Sequence, residues 1–316
     1  MNLEEKKDTV QSIKKDIHVA IVVTFNRKYL LLECMKALLK QTLPCDIIIV
    51  DNLSTDGTSS YLHEKNILPN KKIYYLSLKE NLGGSGGFYE GIKYAMEHHW
   101  ECFWLMDDDA KPDKDALDNL LKNTDKKKAL FASAAVGNID GKKKLCWLIE
   151  AENKSKYIEW HDDLNEVEKV KYTPFLGFLI HRSAVNEIGL PVSDYFIYWD
   201  DKEYCERAKA FGYGLYVVKN SLIYHPVTSN EFIRILKWGI PYKSLPPWKV
   251  YYDVRNKIIT SRKYYGASFW THTIPGIVFR MFISIFKEKE VLEIMKAYSM
   301  ALIDGFKNKR INRYLQ

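Results

Sequence analysis

Three consecutive aspartates, Asp107, Asp108 and Asp109, follow the apolar run Cys102–Met106. The run predicts a buried strand, and like charges at its end repel one another unless a cation neutralises them. In an extended segment alternate side chains point the same way, so Asp107 and Asp109 could both bind one divalent ion. Such an ion would neutralise a diphosphate and stabilise it as a leaving group. A solvated acidic loop is the alternative, and the apolar strand before it argues against that alternative.

Two further candidates for proton or metal chemistry lie downstream. Asp200 and Asp201 follow Trp199 and open a predicted helix, where carboxylates also suit the helix dipole. Beyond that capping role, one of them could act as a general base that takes a proton from an acceptor hydroxyl. His225 ends a strand-like segment. A lone histidine is usually structural, but this imidazole could be a third metal ligand beside two carboxylates.

Polar residues also follow the first two predicted strands. Thr24 and Arg27 end the first strand, and Asp51, Asn52 and Asp56 follow the second. Residues of these types commonly form a capped turn, which is one interpretation. The other is a ligand site, because an acidic group and small hydroxyls can hold a base and ribose while an arginine can bind a phosphate.

A glycine-rich segment, residues 81–87, follows the third predicted strand and opens a helix. Glycines at such a place let backbone N–H groups approach a phosphate. The segment is not a dinucleotide fingerprint, because the third glycine would fall at Tyr89, and no P-loop Gly-Lys-Ser/Thr follows. A tight turn and a ligand contact through Asn81, Gly83 and Gly84 therefore remain as alternatives.

The elements that must position these groups alternate between strand and helix. The predicted strands cover 18–24, 46–51, 72–78, 102–106, 175–180 and 215–219, and the predicted helices cover 29–40, 58–65, 88–99, 183–187 and 200–211. Residues 126–172 show less regular patterning. Continuous apolar strands followed by helices predict an α/β fold with a largely parallel sheet covered on both faces. Ligands bind such sheets at the carboxyl ends of the strands.

Composition sets further bounds. The chain has 316 residues, of which 47% are apolar and 28% charged, and this excludes a disordered chain, a fibrous repeat and a polytopic membrane protein. The net charge of +7 is unevenly distributed, because residues 1–229 carry 31 Lys/Arg and 34 Asp/Glu while residues 230–316 carry 16 and 6. The basic C-terminal region also interleaves tryptophan and tyrosine. It therefore predicts either a helical subdomain with a solvated basic face or contact with an anionic membrane, ahead of nucleic acid.

Cysteine usage and the N-terminus indicate a cytoplasmic protein. The five cysteines form no C-x-x-C pair, so we expect buried free thiols in a reducing compartment. The first sixteen residues are polar and charged, unlike a secretory signal. No uncharged apolar stretch of about 18 residues occurs; the nearest, 269–286, is interrupted by His272, Pro275 and Arg280.

The ordered set of motifs resembles family 2 glycosyltransferases, which are nucleotide-sugar enzymes with a GT-A fold. The resemblance covers about residues 17–230 and rests on Thr-Phe-Asn-Arg at 24–27, Val-Asp-Asn-x-Ser-x-Asp-Gly-Thr at 50–58, Asn-x-Gly-Gly-x-Gly-Gly at 81–87, the aspartate triplet, Trp-Asp-Asp at 199–201 and His225. Within that family, Phe196–Tyr204 and Tyr224–His225 look most like bacterial galactofuranosyltransferases. Tyr251–Asn256 matches a Tyr-Tyr-x-x-Arg-Asn string of galactofuranosyl- and rhamnosyltransferases.

The resemblance implies a role for each matching position. Residues implied in donor binding are Thr24, Arg27, Asp51, Asn52, Asp56, Asn81, Gly83, Gly84 and Asp108. Asp107, Asp109 and His225 are implied as ligands of Mn²⁺ or Mg²⁺. Asp201 is implied as the base, with Asp200 as the second choice, and Phe178 and Trp199 as acceptor contacts. Gly177–Leu179 stands where mycobacterial cell-wall enzymes carry paired tryptophans, which favours a different acceptor and the addition of a single sugar.

The reaction implied is an inverting transfer of galactofuranose from UDP-galactofuranose to a glycan acceptor, of the lipid-linked kind used in bacterial surface polysaccharides. A rhamnosyltransferase using dTDP-rhamnose is the nearest alternative, and a non-catalytic nucleotide-binding scaffold is an alternative of another class. The expected organisation is an N-terminal extension at 1–16, a GT-A catalytic domain at 17–230 with a mixed, mostly parallel sheet, and a basic, mainly helical region at 231–316. We expect no nucleic-acid partner, and we expect the protein to lie in the cytoplasm or peripherally on the inner face of the plasma membrane.

Overall fold

The computed structural model describes residues 18–123, 127–152, 157–227, 231–235 and 238–314, so the predicted extension at 1–16 lies outside the described residues. The strands are β1 (His18–Thr24), β2 (Asp46–Asp51), β3 (Ile73–Ser77), β4 (Cys102–Asp107), β5 (Lys111–Pro112), β6 (Ala129–Ile139), β7 (Lys142–Glu150), β8 (Tyr157–Trp160), β9 (Val167–Val170), β10 (Phe178–His181), β11 (Gly214–Tyr224), β12 (Glu231–Ile235) and β13 (Trp238–Tyr242). The α-helices are α1 (Lys28–Leu38), α2 (Thr58–Glu64), α3 (Gly83–Met96), α4 (Ala116–Leu121), α5 (Arg182–Ile188), α6 (Asp200–Ala210), α7 (Pro247–Tyr264), α8 (Ile274–Lys287) and α9 (Val291–Phe306). A 3-10 turn lies at His161–Asp163 and a π-helical turn at Phe269–Thr273.

Among the described residues, eleven strands form one mixed sheet whose main path runs β3-β2-β1-β4-β10-β6-β11-β5. Pairing is parallel from β3 to β4 and between β6 and β11, whereas β10 runs antiparallel between β4 and β6. Thr24 pairs with Asp51, and Val23 with Asp107. The carboxyl ends of β1, β2 and β4 therefore share one edge of the sheet, as the α/β prediction requires, and the predicted mixed, mostly parallel sheet is confirmed.

Successive residues of β1 enter two hydrophobic cores on opposite faces of the sheet. Ile21 packs in the core that contains Ile92 of α3, and Val22 in the core that contains Leu31 of α1. All seven residues of β1 are buried, which accounts for the unbroken apolar character of this strand. The five cysteines are also buried and free, as expected.

Helix α3 begins at Gly83, within the segment that the sequence predicted as a turn. The reason is close packing rather than turn formation. A Cβ atom on Gly87 would lie 2.4 Å from Cγ1 of Val23, so only glycine lets the first turns of α3 approach β1 this closely. Gly87 is therefore required by a helix–strand contact.

The middle of the chain, predicted as irregular, contains β6 to β9. Strand β6 is rich in alanine, and β7 begins with three lysines. Neither composition is typical of a buried strand, so the pattern of residue types gave little strand signal. Pairing with β10 and β11 in the interior of the sheet stabilises β6 despite its composition.

The C-terminal region is mainly helical, as predicted. Helices α7, α8 and α9 enclose a third hydrophobic core that includes Tyr251, Tyr252, Ile258 and Tyr298, and a β12–β13 hairpin precedes them. Phe196, upstream of the boundary predicted near residue 230, packs in the same core.

Candidate active site

A cavity of about 1610 Å³ opens at the carboxyl edge of the sheet. It is lined by residues from β1, β4, the start of α3, the start of α6 and the beginning of α7. Thirteen of the sixteen site residues predicted from the sequence line it: Thr24, Arg27, Asn52, Asn81, Gly83, Gly84, Asp107, Asp108, Asp109, Trp199, Asp200, Asp201 and His225. The three others, Asp51, Asp56 and Phe178, do not.

Asp108 is the buried member of the aspartate triplet, at 3% exposure. Thr24 Oγ1 donates to its Oδ2 at 2.7 Å, and Arg27 Nη1 donates to its Oδ1 at 3.1 Å. Arg27 also reaches Oδ2 of Asp109 at 2.9 Å. Burial raises the pKa of Asp108, while the Thr24 hydroxyl and the Arg27 guanidinium oppose that rise. Arg27 therefore neutralises part of the triplet and stands at the cavity wall, half exposed.

Asp109 and His225 end different strands and face each other. Nε2 of His225 lies 3.2 Å from Oδ1 of Asp109, and that buried oxygen has no hydrogen-bond donor among the described residues. The other ring nitrogen, Nδ1, lies 2.8 Å from the carbonyl oxygen of Pro226. A carbonyl partner at Nδ1 fixes the tautomer whose Nε2 lone pair is free, which is the usual arrangement of a metal-binding histidine.

These two residues fit a divalent ion. Two neighbouring ligands of an octahedral ion with bonds of about 2.1 Å lie about 3 Å apart, close to the observed separation of 3.2 Å. Without such an ion a proton is shared between them: burial lowers the pKa of His225, but the contacts with Asp109 and Cys146 together outweigh burial and raise it to about 10. Nevertheless, no group of three His, Cys, Asp or Glu side chains in the described ranges already has the arrangement of a metal site. Asp107, the third predicted ligand, thus remains a prediction.

Asp107 lies in the cavity beside the other two aspartates. Its side chain can be reached by solvent, yet protein surrounds it on most sides. The enclosing protein, and then the negative charges of Asp109 and Asp108, raise its pKa to about 7. Repulsion among the three carboxylates is therefore unfavourable, and a bound cation would reduce it.

Asp200 and Asp201 form the first turn of α6 on the cavity wall. Burial, followed by the charge of Asp201, raises the pKa of Asp200 well above its ordinary value. Burial also raises the pKa of Asp201, but less, because Oδ2 accepts a hydrogen bond from the Tyr172 hydroxyl and Oδ1 accepts one from the backbone N–H of Lys202 at 2.6 Å. Asp201 is thus the carboxylate that is easier to keep ionised, as a general base requires.

The segment before α6 has an unusual backbone. Phe196, Tyr198 and Trp199 all have positive φ values, of 66°, 65° and 70°, which costs conformational energy at non-glycine residues. The Trp199 ring lines the cavity, and its Nε1 donates to Oδ1 of Asp253 at 2.8 Å. Asp253 is in turn paired with Arg280 of α8. Trp199 is therefore held in place from the C-terminal region.

Two buried residues of α7 hold this segment. Asn256 Nδ2 donates to the backbone carbonyl oxygens of Tyr195, Ile197 and Tyr198 at 2.9, 3.0 and 2.9 Å. Arg255 donates to the carbonyl of Tyr195 at 3.1 Å and, through Nε, to Oδ1 of Asn256 at 2.8 Å. This geometry gives the Arg-Asn pair of the Tyr-Tyr-x-x-Arg-Asn string a physical role: it fixes the backbone that leads into the two aspartates of α6.

Gly83, at the start of α3, packs directly against Phe196 in the segment before α6, and both residues line the cavity. Its φ is +70°, and a Cβ atom there would lie 2.1 Å from the carbonyl oxygen of Phe196. The backbone N–H of Ser85, two residues after Gly83, donates to the same carbonyl oxygen at 3.2 Å. Gly84, by contrast, would meet nothing within 4 Å, so its backbone is open to a ligand in the cavity.

Asp51 and Asp56 have local partners outside the cavity. Asp51 accepts hydrogen bonds from the Tyr75 hydroxyl at 2.5 Å and from the backbone N–H of Ser54 at 2.9 Å. Asp56 accepts from the N–H and the hydroxyl of Thr58 at 3.1 and 2.5 Å. The bonds from Ser54 and Thr58 are contacts of a capped turn, as one of the two interpretations predicts, and the donor-binding role of Asp51 and Asp56 stays a prediction. Asn52 does line the cavity and also donates to the carbonyl of Gly83 at 3.2 Å.

Phe178 was predicted to contact an acceptor, but its side chain does not line the cavity, so this prediction is wrong. Phe178 is completely buried in β10, where its ring packs on Phe175 and Tyr204. The residue of this segment that lines the cavity is Phe175. Alternate residues of an extended segment point to opposite sides, and the segment between Phe175 and β10 turns at Gly177, whose φ is +71°.

Sequence reasoning missed part of the cavity wall. Tyr172, Lys243, Trp248 and Lys249 line the cavity, and only the general basicity of the C-terminal region hinted at the two lysines. Burial, and then the nearby charges of Lys243 and Arg27, lower the pKa of Lys249. Four cationic side chains, Arg27, Lys202, Lys243 and Lys249, therefore line one cavity that also holds the aspartate triplet, an arrangement suited to a diphosphate with a divalent ion.

Comparison with known proteins agrees with this geometry. The family model described as glycosyl transferase family 2 matches residues 19–189, more than half of the 316 residues. Galactofuranosyltransferase GlfT1 of Mycobacterium tuberculosis is 29% identical over 252 residues, covering 75% of this chain and 80% of that protein. The dTDP-rhamnosyl transferase RfbF of Shigella flexneri is 24% identical over 294 residues, covering 91% and 95%.

Two solved structures share the fold. GalNAc-T7 with UDP, GalNAc and Mn²⁺ superposes with a TM-score of 0.58 at 13% identity, covering 83% of this chain and 57% of that one. The mannosyltransferase PcManGT from Pyrobaculum calidifontis, in complex with GDP-Man and Mn²⁺, gives a TM-score of 0.55 at 15% identity, covering 93% and 88%. Both support the predicted GT-A fold.

Proposed function

The chain belongs to glycosyl transferase family 2 and is a glycosyltransferase, and on this basis we propose that it transfers galactofuranose from UDP-galactofuranose to a glycan acceptor with inversion at the anomeric carbon. The observation that carries the proposal is that the aspartate triplet and Asp201 open into the same cavity. The resemblance to galactofuranosyltransferases supports the choice of sugar. The product would be a bacterial surface polysaccharide.

The donor would bind along the β1 and α3 side of the cavity. Thr24 and Asn52, with Asn81, Gly83 and Gly84 at the start of α3, would contact the nucleoside, and Asp108 would lie near the donor ribose or sugar. Arg27, which now pairs with Asp108 and Asp109, would also contact the diphosphate. Asp109 and His225, together with Asp107, would hold a divalent ion, which when bound supplies positive charge to the departing diphosphate. The O/N ligand set suits either Mn²⁺ or Mg²⁺.

Asp201 would act as the general base. Its carboxylate takes the proton of the acceptor hydroxyl while that oxygen forms a bond to the anomeric carbon, and the bond between this carbon and the diphosphate oxygen breaks. UDP leaves with the bonding electrons, so no covalent enzyme intermediate is needed. Trp199, at the N-terminal end of the same helix, would contact the acceptor.

The second candidate donor is dTDP-rhamnose. It is favoured by the rhamnosyl transferase relative, which is similar over 91% of this chain. A panel of nucleotide sugars, each incubated with the enzyme and Mn²⁺, distinguishes the two by release of the nucleoside diphosphate. Release from UDP-galactofuranose supports the proposal, and release from dTDP-rhamnose alone would contradict it. Release from neither donor, with or without acceptor, would favour a non-catalytic scaffold.

The acceptor and the location complete the proposal. We propose a lipid-linked acceptor and a cytoplasmic enzyme that contacts the inner face of the plasma membrane through residues 231–316. In this scheme residues 17–230 form the catalytic domain. The contact of Asn256 and Asp253 with the segment before α6 supports a further contribution from the C-terminal region to the same site.

A further inference from the structure

Helix α8 has one largely exposed apolar face in the described part of the chain. Val278, Phe279, Phe282, Ile285 and Phe286 are exposed large apolar residues there, and we refer to these five as the α8 apolar face. Their spacing of i, i+1, i+4, i+7 and i+8 places them within about a third of the circumference of a helix. The rings of Phe282 and Phe286 contact each other with centroids 5.0 Å apart, and Phe286 is 72% exposed.

The opposite side of α8 is fixed to the protein. Ile277, Ile283 and Ser284 are buried, and Arg280 forms an ion pair with Asp253 of α7. Among the described helices, Phe269–Lys287 is the one long and apolar enough to cross a membrane, with about a quarter of it buried. A helix anchored along one side by an ion pair and core contacts cannot insert across a bilayer without breaking them. It can lie in the plane of a membrane surface.

The charges around the face indicate what covers it. Lys287 ends α8, Lys289 follows it, and Lys296 is exposed on α9. Glutamates alternate with these lysines: Glu288 accepts hydrogen bonds from Tyr242 and Ser244, and Glu293 lies 3.8 Å from Lys296. The positive charge that an anionic bilayer would meet is therefore that of residues 230–316 as a whole, with 16 Lys/Arg against 6 Asp/Glu, and an apolar, aromatic face in such a basic region suits the headgroup layer. A second copy docked on this face would place its own lysines and basic residues 230–316 next to those of the first copy. The like charges would repel, so this contact is unfavourable.

Helices α8 and α9 are connected to the cavity, although none of the five residues of the α8 apolar face lines it. Leu292, at the start of α9, is 85% exposed, and its neighbour Glu293 lines the cavity. Arg280 connects α8 through Asp253 to Trp199 on the cavity wall. We infer that the α8 apolar face, with Leu292, seats the enzyme on an anionic membrane surface so that the cavity mouth adjoins the lipid headgroups. This inference rests on the proposed function, because it makes the acceptor one that is presented from the bilayer.

The test uses the full-length protein and sedimentation with vesicles of phosphatidylethanolamine and phosphatidylglycerol. We expect the wild type to bind these vesicles, and the double variant F282E/F286E to bind at least about tenfold more weakly, because it places two charges in the apolar contact. The matched control is L148E/Y157E, which alters two exposed apolar residues of β7 and β8 and is expected to bind as the wild type does. Thermal unfolding checks that all variants are folded.

Several outcomes would overturn the inference. They are equal binding by F282E/F286E and the wild type, or equal wild-type binding to neutral phosphatidylcholine vesicles. A dimer in sedimentation velocity that F282E/F286E converts to a monomer would assign the face to a second copy instead. Transfer to a short soluble acceptor is expected to be unchanged in F282E/F286E. If F282E/F286E loses vesicle binding but transfers normally, the membrane inference is supported independently of the proposed function. If the wild type binds vesicles but transfers no sugar, the proposed function fails while the membrane inference stands.

Discussion

Nε2 of His225 lies 3.2 Å from Oδ1 of Asp109, although the two residues follow different strands of the sheet. Asp109 supplies a buried oxygen that has no hydrogen-bond donor in the described residues. His225 supplies a ring whose other nitrogen lies against a backbone carbonyl. Two such acceptor atoms face each other stably only when a proton or a metal ion lies between them.

Replacement of this histidine is expected to weaken metal binding directly. For His225→Gln we predict a loss of Mn²⁺ affinity of about tenfold or more, because an amide oxygen is a poorer ligand for this ion than imidazole. Titration of the free protein with Mn²⁺, followed by electron paramagnetic resonance, measures this without any turnover. His181→Gln changes an exposed histidine and serves as the control. Unchanged affinity in His225→Gln would remove His225 from the ligand set.

Asp201→Asn is expected to lower kcat by about 10²- to 10⁴-fold, the usual contribution of a general base. The amide keeps the shape of the side chain but cannot take a proton. Binding of UDP, measured by calorimetry, is expected to stay close to the wild-type value, because in the proposed arrangement Asp201 would contact the acceptor and not the nucleotide. Retained transfer in Asp201→Asn, together with loss of transfer in Asp200→Asn, would instead assign the base to Asp200.

Tyr172→Phe is expected to change the pH dependence of the reaction. The Tyr172 hydroxyl donates to Asp201 and lowers the pKa of that carboxyl, against the effect of burial. Removing the hydroxyl therefore raises the pKa, and the ionised base is present only at higher pH. The acid limb of the profile of kcat/KM against pH should move to higher pH, whereas Tyr157→Phe, at an exposed tyrosine, should leave it in place. A shift to lower pH would contradict the assignment.

Asn256→Ala tests whether α7 positions the catalytic segment. The change removes the three hydrogen bonds to the carbonyls of residues 195, 197 and 198. We expect kcat to fall by about tenfold or more, since small displacements of a catalytic group are costly, while KM for the donor changes little. Asn220→Ala, which removes one exposed hydrogen bond, is the control. Equal loss of kcat and donor affinity, or loss of stability alone, would mean that Asn256 has only a structural role.

His18 gives a prediction for stability. It is buried at the start of β1, and burial lowers its pKa to about 4 from 6.5. The folded protein thus binds fewer protons than the unfolded chain between these values, and the contribution is complete above pH 6.5 and lost as the pH falls toward 4. The loss amounts to at most about 3 kcal/mol. Urea unfolding of wild type and His18→Phe across this range should show a smaller pH dependence in the variant, with exposed His63→Gln behaving as wild type.

The edge of the sheet could be predicted from the sequence because its strands are continuous apolar runs. Strands β1 and β2 end where the pattern predicts, and the polar residues that follow β1, β2 and β4 necessarily meet at one edge. The predicted strand ends were therefore enough to predict that Thr24, Asn52 and the aspartate triplet lie at one site, and all of them line the cavity.

The rest depended on contacts between distant parts of the chain. The resemblance implied Phe178 as an acceptor contact, but Phe178 is buried and Phe175 lines the cavity, because nothing in a short apolar run shows which ring faces a cavity and which faces the core. Strand β6 was missed because pairing with neighbouring strands, not its alanine-rich composition, makes it a strand. The contact between Tyr172 and Asp201 has no local signature at all.

Residues from both the N-terminal and the C-terminal parts of the chain line the cavity, and this limits how its parts can be exchanged between genes. The segment matched by the family model ends at residue 189, before Trp199, Asp201, His225 and the lysines of the C-terminal wall. A recombination event near that point would carry the proposed acceptor wall, the proposed base and the C-terminal helices into a new gene as one block. His225, Lys243 and Lys249 would move with that block, whereas Thr24, Asn52 and the aspartate triplet would stay with the upstream half. Acceptor and membrane contacts could therefore change together, but only in a block that still completes the metal and diphosphate wall of the cavity.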